Sequence, residues 1–201
     1  MPDKIMNYLA HTLLSGKNEN LIVGNFLADI LRKNEYGPWM EPYLNGFELH
    51  RSIDQFTDEH PSIKKINSLL RPSHKKYAPV VTDILLDYIL GQAWHLHSAE
   101  SLQGFADLRY ETLRMHWPVF PDRIKPVVAK MIDGNFLIKY TTIEGLMFTF
   151  EKIQEAARFP SDFSQAVEDL ETHYDLLHQE FNFFFPDLVQ HTQRFRLNPS
   201  L

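Results

Sequence analysis

Apolar residues in this chain recur at intervals of three and four, as in Leu27, Ile30 and Leu31, or Phe163, Val167, Leu170, Tyr174 and Leu177. Strand-like alternation is rare. That spacing lays apolar side chains along one stripe of a helix and points to an all-α fold. Helices are expected at about Met6 to Leu14, Asn20 to Lys33, Pro42 to Asp58, Ser62 to Leu70, Pro79 to His95, Ser101 to Met115, Asp122 to Ile132, Thr142 to Arg158 and Pro160 to Phe185. Breakers separate them: Gly37-Pro38, His60-Pro61, Arg71-Pro72, Trp117-Pro118, Phe120-Pro121, Asp133-Gly134 and Phe159-Pro160. Ser161 suits the cap of the last helix and Pro79 the first turn of its own. The 201 residues contain no fixed repeat and no linker-like run, so the helices are expected to form one single compact helical bundle over residues 6–201. Residues 1–5 lack amphipathic order and read as an N-terminal extension.

Composition narrows the chemistry. Cysteine is absent, which excludes disulfides, thiol nucleophiles and cysteine-held clusters and leaves a metal only histidine and carboxylate ligands. The net charge of -6 argues against a nucleic-acid partner. No run approaches the roughly 20 apolar residues that span a bilayer, and no export signal precedes the first helix, so no membrane partner and a cytoplasmic location are expected. Ten histidines beside 26 acids supply the residue types that bind cations and move protons.

Their spacing is the strongest local signal. Asn25 and Asp29, His50 and Asp54, and Asp83 and Asp87 are each four apart, so each pair shares one helical face. Phe26, Leu27, Ile53, Phe56, Ile84 and Leu85 flank them, which puts the polar face near the core. Burying carboxylates there is costly unless a cation compensates, and an imidazole with several inward carboxylates in a bundle would make an oxygen-rich Mg, Mn or Fe site. Plainer readings stand beside this one. His50 and Asp54 can be an exposed i,i+4 pair beside a cap, Asn25 and Asp29 can be capping or hydrogen-bonding residues near a turn that Gly24 allows, and His11 can be a satisfied core histidine.

Other features carry less. His95, His97, His116, His173, His178 and His191 read as surface or capping residues. Phe181, Phe183, Phe184 and Phe185 before Pro186 read as a helix end that plugs the core, with a pocket wall as the alternative. No phosphate loop, nucleophile elbow or dinucleotide fingerprint occurs. Between Glu59 and Asp83 there is no acid, while Lys64, Lys65, Arg71, Lys75 and Lys76 contribute +5, which leaves -11 on the rest of the chain. Such a run is either a solvated face or a patch that steers an acidic partner.

In order and spacing, the segments Met6-Asn7-Tyr8-Leu9-Ala10-His11, Gly24-Asn25-Phe26-Leu27-Ala28-Asp29, His50-Arg51-Ser52-Ile53-Asp54-Gln55-Phe56-Thr57-Asp58 and Thr82-Asp83-Ile84-Leu85-Leu86-Asp87-Tyr88 resemble the bacterial acyl carrier protein phosphodiesterase family. The resemblance runs from about Met6 to Arg194. It implies a cytoplasmic, all-helical, distantly HD-phosphohydrolase-like enzyme. The implied reaction is hydrolysis of the bond joining 4'-phosphopantetheine to a serine of holo acyl carrier protein, with a divalent cation, Mn first and Mg or Fe as alternatives. The shared polar set maps onto His11, Asn25, Asp29, His50, Arg51, Asp54, Asp58, Asp83 and Asp87. Within it, Asp29, His50, Asp54, Asp83 and Asp87 are expected to hold metal, and His11, Asn25, Arg51 and Asp58 to serve catalysis. His11 would orient water or protonate the serine oxygen, and Arg51 would bind a phosphoryl oxygen. Lys64, Lys65, Arg71, Lys75 and Lys76 would dock the acidic carrier. The resemblance departs at Tyr88 and Ala93, where relatives can carry His, which shifts the ligand set toward oxygen. Two rivals remain at this point: an HD-type phosphohydrolase acting on a nucleotide or other small phosphodiester, and a non-catalytic helical binding module.

Overall fold

A computed structural model describes residues 8–157 and 162–197, and no strand occurs among them. The N-terminal extension, the start at Met6, the cap at Ser161 and the break at Phe159-Pro160 lie outside the described residues. The α-helices are α1 (Tyr8–Leu14), α2 (Glu19–Ile30), α3 (Leu44–Glu59), α4 (Pro61–His74), α5 (Ala78–Gln92), α6 (Leu102–Met115), α7 (Lys125–Asp133), α8 (Phe136–Lys139), α9 (Ile143–Ala156) and α10 (Gln165–Leu197), with short 3-10 turns between several of them.

Local chemistry sets many of the ends. The Asn18 side chain accepts from the Leu21 N–H to start α2, Ser101 does the same for Gly104 in α6, and Thr142 for Gly145 in α9. His60 closes α3 in an extended conformation before Pro61, and its Nδ1 accepts from the Ser62 N–H at the start of α4. That capping histidine carried no signal in the spacing.

α5 is the central helix, with Val81, Ile84, Leu85, Ile89 and Leu90 buried around more than half of its circumference. It packs against α1, α4 and α10, while α2 packs on α3 and on α1. Two expected breaks are overruled. α4 runs through Pro72 to His74, and α10 runs through Pro186 to Leu197. A proline inside a helix forfeits one backbone hydrogen bond, but Leu70 and His74 around the first, and Leu188 and Thr192 beyond the second, are buried against neighbouring helices, and tertiary burial decides. α10 bends instead at His173, where φ is -113° and ψ 15°. Phe181, Phe184 and Phe185 plug the core as expected, whereas Phe183 is exposed. The 3-10 segment Pro38–Tyr43 replaces the first turn expected at Pro42.

Candidate metal centre

The i,i+4 pairs on α2 and α3 meet. α2 carries Asn25 and Asp29, α3 carries His50 and Asp54, and α1 brings His11 between them. Side-chain exposures are 3% for His11, 6% for His50, 1% for Asp29 and 31% for Asp54, so the cluster is buried except where Asp54 opens it to solvent. His11, His50 and Asp54 each offer a ligand atom, and these atoms all lie within 4.8 Å of one another. The reading of His11 as a lone core histidine therefore gives way to a place inside the cluster.

Asn25, wholly buried, organises both rings. Its Nδ2 donates to the His11 carbonyl at 3.0 Å and to Ser15 Oγ at 2.9 Å. A backbone carbonyl can only accept, so the amide has one orientation, and its Oδ1 faces His11 Nδ1 at 2.8 Å and His50 Nδ1 at 3.1 Å. Both Nδ1 atoms must then carry the proton. The opposite nitrogens face carboxylates: His50 Nε2 lies 3.4 Å from Asp29 and 3.3 Å from Asp54, and His11 Nε2 lies 3.5 Å from Asp54. In a neutral ring that nitrogen is a bare lone pair aimed at anionic oxygen. Only positive charge between them, a proton or a metal ion, makes the arrangement attractive. For His50, burial works against the imidazolium, yet Asp29 and Asp54 outweigh it and raise the ring to about 9. The donor set of two imidazole nitrogens and carboxylate oxygens fits a borderline or hard divalent cation.

The remaining expected site residues are distributed differently. Asp87 is fully buried, and its two oxygens accept from the Leu9 and Ala10 N–H groups, each at 3.0 Å. Burial pushes its carboxyl up to about 7 against the pull of the Ala10 and Leu9 N–H groups. Tyr140 lies close enough that its phenol is raised by burial and by the charges of Asp87 and Asp29. Asp83 is half-buried one turn earlier on α5 and outside the His11, His50 and Asp54 group. Arg51 is exposed and donates to Glu48 at 2.6 Å, and Asp58 is exposed near the end of α3. Tyr88, half-buried on α5, and Ala93, at its end, have no side-chain nitrogen, so α5 brings no imidazole to the site.

Lys64, Lys65, Arg71, Lys75 and Lys76 are all exposed on α4 and the turn after it. Lys65 is tied at 2.5 Å to Glu180 of α10. Arg71, Lys75, Lys76 and Pro79 line a shallow groove of about 560 Å³. Lys75 sits at φ +52°, a conformation unusual for a side-chain-bearing residue, in the turn that presents the last two cations. Of the remaining histidines, His97 packs edge-on against Phe185 and is half-buried rather than surface. His191 faces Ser52 Oγ at 2.7 Å, and His116 faces the Tyr43 hydroxyl at 2.8 Å.

Residues 6–188 match the family described as acyl carrier protein phosphodiesterase. The chain belongs to that family. Acyl carrier protein phosphodiesterases similar to it include one from Serratia proteamaculans, 26% identical over 186 residues that cover 92% of this chain and 96% of the relative. Another, from Photorhabdus laumondii, is 28% identical over 188 residues, covering 92% and 94%. No solved structure matches significantly, so the likeness to HD-type phosphohydrolases rests on no structural comparison. In this acyl carrier protein phosphodiesterase family member, Ser15, bonded to Asn25, carried no expectation from the sequence, nor did Tyr140, whose phenol feels the charges of Asp87 and Asp29. Ser15 is four residues after His11, the same spacing that marked the other pairs.

Proposed function

We propose that the chain is a phosphoric diester hydrolase that removes 4'-phosphopantetheine from the serine of holo acyl carrier protein. Family membership supports the substrate. The observation that carries the chemistry is the pair of imidazoles, both pinned through Nδ1 to Asn25, with Nε2 directed at Asp29 and Asp54. His11, His50, Asp54 and Asp29 are the proposed cation ligands, with Asp83 as a further candidate and Asp87 acting through α1. A divalent cation, Mn first with Mg or Fe as alternatives, would activate water and offset negative charge on the phosphoryl group. The protein's own part is positional. Asn25 keeps both Nε2 atoms toward the carboxylates, Asp87 fixes the start of α1 and hence the height of His11, and the partly exposed Asp54 marks the side from which a phosphodiester approaches. Arg51, on the outer face of α3, is proposed to meet the phosphoryl oxygens after giving up Glu48, with Asp58 beside the approach.

The carrier protein is proposed to dock on Lys64, Arg71, Lys75 and Lys76, with Lys65 held back by Glu180. Complementary charge would set encounter rate and orientation more than affinity. Titration of Mn into the metal-free protein tests the centre. Saturable binding that His50→Ala and Asp54→Ala remove is the expected result, and a folded wild-type chain that binds no divalent cation overturns the reading.

A further inference from the structure

Asn25 can direct both histidines only if its amide is held from behind, and two groups hold it. One is the His11 carbonyl; the other is Ser15 Oγ, which is wholly buried in the turn after α1. Ser15 Oγ donates its own proton to the His11 carbonyl at 2.9 Å, so the lone pairs it turns to Asn25 can only accept. The Ser15 N–H closes on the same carbonyl at 3.2 Å. With that contact every hydrogen-bonding position of the Asn25 amide is filled: two accepted from the imidazoles and two donated to α1 and its following turn. The four-residue step from His11 to Ser15 thus closes a ring from Ser15 to Asn25, to His11 Nδ1, and back through the His11 backbone.

We propose that Ser15 is a positioning residue for the cation site, its hydroxyl holding, together with the His11 carbonyl, the Asn25 amide in the orientation that keeps a proton on Nδ1 of His11 and His50 and turns His50 Nε2 toward Asp29 and Asp54 and His11 Nε2 toward Asp54. The inference rests on the proposed metal-dependent activity but concerns a residue that touches neither cation nor substrate. Groups that bond a ligating imidazole directly, as Asn25 does here, weaken metal binding by about 10- to 100-fold when lost, and Ser15 acts through that group, at the low end of the range. The turn itself has other support: Arg109 Nη2 donates to the Gly16 carbonyl at 2.9 Å and Arg196 Nη1 donates to the Leu14 carbonyl. Removing one hydroxyl therefore leaves the backbone held.

The test combines metal affinity with a signature that needs no metal. In the metal-free wild type, long-range proton–nitrogen NMR correlations should show Nδ1–H protons of His11 and His50 protected from exchange, and calorimetry should give the Mn affinity. Ser15→Ala is expected to lose or broaden both signals and bind Mn about tenfold more weakly, while Ser15→Thr, which keeps the hydroxyl, retains both. Should Ser15→Ala fail to fold, Ser15→Cys, of similar volume but a weak acceptor, takes its place with the same expected losses. A folded Ser15→Ala or Ser15→Cys protein with wild-type Mn affinity and both protected signals overturns the proposal. A wild type that binds no Mn sinks the metal reading instead, so the two failures are distinct.

Discussion

Gly24 and Gly46 meet backbone to backbone where α2 crosses α3. A Cβ on Gly46 would lie 2.6 Å from Gly24 Cα, and one on Gly24 would lie 2.2 Å from the Tyr43 carbonyl oxygen. Gly24 is therefore a crossing residue inside the helix expected there, the alternative of a turn at this point falls, and the close approach lets Asn25 on one helix reach His50 on the other. Gly46→Ala must push the helices apart, at a cost of about 1–3 kcal/mol by analogy with overpacked cores. Urea unfolding should show that loss together with weakened Mn binding. Unchanged stability would mean the crossing has slack that the distances deny.

Asp87 anchors α1 from the central helix. Asp87→Ala leaves two buried N–H groups, those of Leu9 and Ala10, without acceptors, and each such group costs about 1–3 kcal/mol. A clear fall in Tm is expected, and since His11 rides on α1, a fall in Mn affinity with it. An Asp87→Ala protein as stable as wild type would show that α1 is held elsewhere.

Acid should loosen the far end of α2. Arg123 donates from Nε and Nη2 to Glu35 at 2.6 and 2.7 Å and from Nη2 to the Ile30 carbonyl at 2.7 Å. The Arg123 hydrogen bond is the main cause that draws the Glu35 carboxyl from 4.5 to about 2. A depressed carboxyl stabilises the fold above its unfolded value and loses that contribution as pH falls from about 4.5 toward 2, on the order of 1–2 kcal/mol for a partly exposed pair. Unfolding free energies measured from pH 6 down to pH 3 should fall less steeply in Arg123→Gln than in wild type. Parallel slopes would remove Glu35 from the account.

The basic groove predicts a split in kinetic constants. Reversing Lys75 and Lys76 to Glu should raise KM for holo carrier protein about tenfold with little change in kcat, because docking charge acts before chemistry. Added salt should lower wild-type kcat/KM and affect the reversed protein less. Lys65→Glu is expected to cost stability as well, since it sets a second acid against Glu180. An unaltered KM in the double reversal would place the carrier on another face.

The helical period made much of this site legible. Four-residue spacing fixes which residues share a face, so Asn25 with Asp29 and His50 with Asp54 could be paired from sequence. Spacing does not say what that face meets. Asp83 and Asp87 show the same pattern, yet Asp87 spends its oxygens on backbone N–H groups nearly eighty residues away. Pro72 and Pro186 look like stops because local propensity counts a lost hydrogen bond and cannot count the burial of Leu70 or Leu188. Ser15 matches the spacing rule but follows the end of α1, where a turn rather than a helix face carries it inward.

Removal of phosphopantetheine tests the central claim most directly. Purified holo acyl carrier protein is incubated with the metal-free chain, with and without added Mn, and the carrier's intact mass is followed. Conversion to the mass of apo carrier protein only with Mn, and not with Asp54→Ala, is the predicted result. A folded, Mn-bound wild type that leaves the holo carrier intact would contradict it.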